Sequence, residues 1–124
     1  MARHAGPSIN HAMTEFALLL RRDFSNREHQ PSLDQLQDSI RLWQEWYAWI
    51  ARIKRLAQPF QSWDHIGRIL TNTRRVVDGP YRAGGESFCG LIIIQAENYE
   101  EAIDIACRCP ILQLGGTVEI RMEI

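Results

Sequence analysis

Apolar residues fall into three patterns along this chain, and each predicts a different element. Phe16-Ala17-Leu18-Leu19-Leu20, inside a span from Glu15 to Arg22, is an apolar run of strand length. Leu36, Ile40, Trp43, Tyr47 and Ile50 recur at spacings of four and three, with Leu42, Trp46, Trp49 and Ile53 as a second stripe beside them. That is helical spacing, and it predicts a helix from about Leu33 to Leu56. Val118, Ile120, Met122 and Ile124 alternate with Thr117, Glu119, Arg121 and Glu123, which predicts a strand with one dry and one wet face.

Polar punctuation marks where these elements start and stop. Ser32-Leu33-Asp34-Gln35 reads as a capping box opening the long helix, and Asn98-Tyr99-Glu100-Glu101 as a second one opening a shorter helix that Pro110 closes. Ala57 to Trp63 reads as extended, interrupted by Pro59, and Asp64-His65-Ile66-Gly67 as a turn. Arg68-Ile69-Leu70 and Arg75-Val76-Val77 flank the polar stretch Thr71 to Arg74, which predicts a hairpin. Leu91-Ile92-Ile93-Ile94 is apolar at consecutive positions and predicts a central strand covered on both faces. Asp78-Gly79-Pro80 is the expected turn into it, because Asp bonds its own backbone, Gly permits positive φ and Pro fixes φ.

The resulting order, β-α-β-hairpin-β-α-β, predicts an α+β domain of ferredoxin-like type, an antiparallel sheet with two helices on one face, spanning residues 14–124. Residues 1–13 read as an arm, since Gly6, Pro7, Ser8 and Asn10 break any periodicity. On a wheel of about 100° per residue, the two apolar stripes of the long helix cover roughly 220°. Packing on one sheet needs little over 100°, so the surplus calls for a thicker core, a subunit interface or a ligand cavity. A sheet with one bare face invites a second copy, which leads to the expectation of a homodimer closed as a dimeric α/β barrel.

Bulk properties narrow the function classes. With 124 residues, the chain has room for one domain, and a net charge of −1 with interspersed signs argues against a nucleic-acid or anionic-membrane footprint. No apolar run approaches the roughly 18 residues of a membrane span, and no signal-peptide pattern is read. Three cysteines do not make a disulfide framework, which points to a reducing cytoplasm.

Candidate chemistry is sparse. Cys107-Arg108-Cys109 has no second pair or histidine at zinc-ligand spacing, so no metal is expected. There is no phosphate-cradling loop and no nucleophile elbow, and no cofactor is called for. Asp78 and Glu86 flank the turn before the central strand and could work as an acid and base if their environments separated their pKa values. The competing reading has Asp78 holding the turn and Glu86 pairing an arginine such as Arg82. His65 beside Asp64 is the third catalytic candidate. Trp43, Trp46, Tyr47 and Tyr81 are candidate ligand-binding residues, the first three as the wall of a pocket under the helix.

VVDGPY, then Glu86, then Gly90 ahead of four aliphatic residues, resembles the DGPF motif of YCII-related proteins. The ending CPILQLGGTVEIRMEI, and EFALLLRR followed by a Trp-rich helix, are similar to that family too, so the resemblance runs from about Thr14 to Ile124. It implies the ferredoxin-like fold and the dimeric barrel. It also implies an early histidine paired with an aspartate of the second strand in the smaller members, one of which is a hydrolase removing chloride from a chlorinated aromatic compound. Here residues such as Leu36 and Trp43 occupy the place of that histidine, and His29 precedes the helix cap. Some members are joined to, or encoded beside, alternative sigma factors. Two functions stay open: a dimeric domain that binds or transforms a small hydrophobic or aromatic compound, and a non-catalytic interaction module linked to transcription regulation.

Overall fold

A computed structural model of the chain describes residues 12–24 and 31–124. The expected arm, with His4 and His11, and the loop carrying His29 lie outside these residues except at their edges.

The elements follow as β1 (Thr14–Arg22), α1 (Leu33–Arg52), β2 (Leu56–Ser62), β3 (Arg68–Leu70), β4 (Val76–Asp78), β5 (Arg82–Ala83), β6 (Glu86–Ala96), α2 (Tyr99–Ala106), a short 3₁₀ helix (Pro110–Leu114) and β7 (Thr117–Met122). The main sheet runs β2-β6-β1-β7 with every neighbour antiparallel; β5 pairs the start of β6, and β3–β4 form a separate hairpin. This is the ferredoxin-like arrangement. The sheet of the chain is open, not a closed barrel, with β2 and β7 at its edges.

Strand periodicity decides the core. Phe16, Leu18 and Leu20 of β1 face the same side as their partners Ile94, Ile92 and Gly90 of β6, and the side chains among them are essentially fully buried. Trp46 and Ile50 of α1 and Ala102, Ile105 and Ala106 of α2 complete one cluster with them, so both helices cover this one face. Each large aliphatic side chain removed from water there contributes about 1.5–3 kcal/mol before the cost of ordering it. Leu91 and Ile93 alternate to the other face, which carries no helix, and stay half-exposed. The consecutive apolar run therefore marks a strand covered on one face, not two. On the helix-free face Arg21 bonds Glu119 at 2.7 Å, and Arg121 bonds the same carboxylate at 2.7 Å.

Local chemistry explains most boundaries. Ser32 Oγ accepts from the Gln35 N–H at 3.1 Å while Gln35 Oε1 accepts from the Ser32 N–H at 2.7 Å, closing the expected capping box. α1 ends earlier than its apolar spacing suggests: Ile53 is its cap, Lys54 has φ of 61°, and Leu56 already pairs Ile94. At α2, Asn98 Oδ1 accepts from the Glu101 N–H at 2.9 Å, but Glu101 reaches back to the Glu97 N–H at 2.8 Å rather than to that of Asn98. The turn that enters β6 is Gly84-Gly85, with φ of 60° and 85°, joining the paired residues Ala83 and Glu86. Positive φ at both central positions matches the right-handed twist of a tight hairpin. Asp78-Gly79-Pro80 instead ends β4 and leads out of the β3–β4 hairpin toward β5, correcting its expected place as the entry to the central strand. Among the described residues, no helix is long and apolar enough to cross a membrane.

Candidate functional site

The three tryptophans of α1 do three different jobs. Trp46 is buried and anchors the helix, its Nε1–H donating to the Ile105 carbonyl at 3.1 Å. Trp49 lies under the Arg108 guanidinium, whose Cζ is 4.3 Å from the ring centroid, a cation–π contact that covers an otherwise wet indole. Trp43 stands between Trp46, edge-on at 5.7 Å, and Phe60 of β2, tilted at 5.6 Å.

Trp43 and Phe60, in contact with each other, both line a groove of about 500 Å³ between α1 and β2, together with Ile40, Gln44, Trp46 and Tyr47. Ile40, Trp43, Gln44 and Tyr47 share a face because they follow one another by three, one and three residues. The surplus apolar arc of the helix thus turns into one wall. Phe60 is aimed at it by an irregularity in β2, where the register slips between Gln58 and Gln61. Pro59 sits in that slip, at a sheet edge where its missing donor costs nothing. Phe60 then lies over Gly90 of β6 so closely that a Cβ there would be 2.8 Å from its Cζ. The groove offers aromatic walls and the Gln44 amide, which suits holding a flat apolar molecule, and no carboxylate or imidazole is among its lining residues.

Of the expected site residues, Trp43, Trp46 and Tyr47 are brought together here. Tyr81 is not: it is 77% exposed, beyond the β3–β4 hairpin. Asp78 ends β4 in solvent, 4.0 Å from Arg68 Nε. Glu86 accepts from Thr117 Oγ1 at 2.7 Å, rather than from an arginine, while Arg82 Nη1 donates to the Gly85 carbonyl at 3.2 Å. His65 stacks on Phe24 at 4.0 Å, and Asp64 beside it accepts from the Gly67 N–H at 3.4 Å, which shapes the turn. None of Asp78, Glu86 and His65 lines the groove.

Cys89 and Cys109 offer no activated thiolate. Burial pushes Cys109 up to about 12, and burial also raises Cys89, against the opposing charge of Arg22. Cys107 is exposed and Cys109 buried, so the C-x-C pair splits between solvent and core. Among the described residues, no three His, Cys, Asp or Glu side chains gather as a metal site would need.

Sequence reasoning missed Phe60 and Gln44 as groove residues, because β2 joins α1 only through tertiary packing. It also missed Arg22, although the Phe16, Leu18, Leu20 alternation extends inward to it.

The family comparison agrees with this architecture. A search of curated proteins finds no match, but the model of the YCII-related domain matches residues 22–122. The chain belongs to the YCII-related family.

Proposed function

We propose that this domain binds a small hydrophobic or aromatic molecule in the groove between α1 and β2. The observation that carries the reading is an aromatic-walled recess of about 500 Å³ with the Gln44 amide among its lining. That size falls inside the roughly 300–1,000 Å³ of small-molecule sites, which are mostly apolar with a few orienting polar groups. Because Asp78, Glu86 and His65 stand away from the groove, the proposal is binding, without an assigned acid–base reaction. Titration with 2-naphthol, an uncharged flat aromatic, followed by tryptophan emission tests it. A saturable change that Trp43→Ala weakens at least tenfold is expected; an emission that never saturates would remove the proposal.

The functional unit in this reading is a homodimer in the cytoplasm. The helix-free face presents Ala17, Leu19, Leu91 and Ile93 half-exposed beside the Arg21–Glu119–Arg121 charges, a surface suited to a second copy. Three thiols without disulfides fit a reducing compartment. The competing reading, an interaction module tied to transcription regulation, draws on the exposed Leu70, Val76 and Ile66 around the β3–β4 hairpin.

A further inference from the structure

Arg22 closes β1 with its side chain on the helix-covered face, two residues beyond Leu20, and only 9% of the residue is exposed. Its Nε and Nη2 atoms are buried and have no hydrogen-bond partner among the described residues. Directly across the sheet, in register, Ser87 is 1% exposed, and its Oγ is likewise without a partner. A bulge makes this pairing: Leu20 faces Gly90 but Arg21 faces Phe88, so Cys89 is the extra residue. Ser87 and Gly90 are consequently both turned to the covered face. Phe24 lies beside the guanidinium, with Arg22 Cζ 4.9 Å from its ring centroid, and His65 stacks on the same ring at 4.0 Å.

Buried polar groups are normally satisfied, and a buried positive charge without an anion is strongly disfavoured. Glu86, next to Ser87, accepts from Thr117 Oγ1, and among the described residues no carboxylate bonds the buried Nε or Nη2 of Arg22. Nε and Nη2 are the two donors along one edge of a guanidinium, spaced to match the two oxygens of a carboxylate in a bidentate pair. The serine hydroxyl is a third donor on the same face, one strand across, and the Phe24 ring provides an apolar flank.

We propose that Arg22 and Ser87 form a binding site for the carboxylate of a small organic acid. This site does not rest on the α1–β2 groove. The two oxygens bind Nε–H and Nη2–H side-on while Ser87 Oγ–H donates to one of them. Arg22 and Ser87 are binding residues, and no covalent step is involved.

The test uses the full chain with benzoate as the probe and benzyl alcohol, the same ring without the charge, as its control. Benzoate should raise the melting temperature and shift the Arg22 Nε–H resonance in a saturable way, and benzyl alcohol should not. Arg22→Lys keeps the charge but loses the planar fork, and Ser87→Ala loses the third donor; each should weaken benzoate at least tenfold and several-fold, respectively. Arg22→Met should abolish benzoate binding while melting, without ligand, at or above the wild-type temperature, since two buried donors without a partner have been removed. An unmoved Arg22 Nε–H at saturating benzoate would overturn the proposal. So would equal benzoate affinity in Arg22→Lys, or a ligand-free Arg22→Met that melts well below wild type or fails to fold.

Discussion

Phe60 rests on Gly90 at a distance no other residue at position 90 would allow: an added Cβ would lie 2.8 Å from Phe60 Cζ and 3.0 Å from Cε1. This single contact couples the central strand to the outer wall of the groove. The absence of a side chain in β6 is what lets the ring lie down. Gly90→Ala should lift Phe60 toward Trp43 and cost about 1–3 kcal/mol, as overpacking usually does. Thermal unfolding will read that cost, and 2-naphthol affinity should fall in the same variant; an unchanged melting temperature would mean the ring has room to spare.

Gly79 is needed for proximity, not for an unusual φ. Its φ is not positive, but a Cβ there would strike the Ile66 carbonyl oxygen and come within 3.1 Å of the Gly67 carbonyl carbon. The Gly79 N–H also donates to Gly67 at 3.2 Å, holding the turn against the hairpin. Even Gly79→Ala should therefore destabilise by about 1–3 kcal/mol, because backbone cannot swing aside as a side chain can. A denaturant midpoint equal to wild type in Gly79→Ala contradicts this account.

The charged cluster on the helix-free face makes a pH prediction. Hydrogen bonds from Arg121 first, and then from Arg21, hold the Glu119 carboxyl below its ordinary value. A carboxyl whose folded pKa is depressed contributes stability that is fully present above its unfolded value, about 4.3, and is lost as pH falls through the folded value. Glu119→Gln should differ most from wild type near about pH 6, with the gap closing toward about pH 3. Melting curves across that range check it; a gap that widens in acid would reverse the sign.

Two chains should associate through the helix-free face. A specific interface buries more than about 1,000 Å², and the half-exposed Ala17, Leu19, Leu91 and Ile93 give it an apolar centre. Light scattering at tens of micromolar should report twice the 14.4 kDa of the chain. A mass of 14.4 kDa at that concentration would leave the face without its proposed partner.

What the sequence revealed and what it hid divide by range. β1, the capping box at Ser32 and the alternation of β7 were legible because each is decided by residues a few positions apart. α1 overran its true end because Lys54, an ordinary helix former, adopts φ of 61° where the chain turns into β2. The entry to β6 was assigned to Asp78-Gly79-Pro80 because that triplet carries the stronger turn chemistry, whereas Gly84-Gly85 makes the hairpin. Trp43, Trp46 and Tyr47 were placed together by helical spacing alone. Phe60 escaped because its neighbour Gly90 lies 30 residues away in sequence and contributes no side chain. Arg22 escaped for a different reason: a charge at a strand end reads as the wet face, and only the extension of the Phe16-Leu18-Leu20 alternation assigns it inward.

The most direct measurement of the central claim is an intermolecular nuclear Overhauser experiment on the full chain with 2-naphthol. The account predicts cross-peaks from the naphthol ring to Trp43, Tyr47 and Phe60, with Ile40 at the rim. Cross-peaks confined to the helix-free face or to the β3–β4 hairpin, with Trp43 and Phe60 silent, would contradict it.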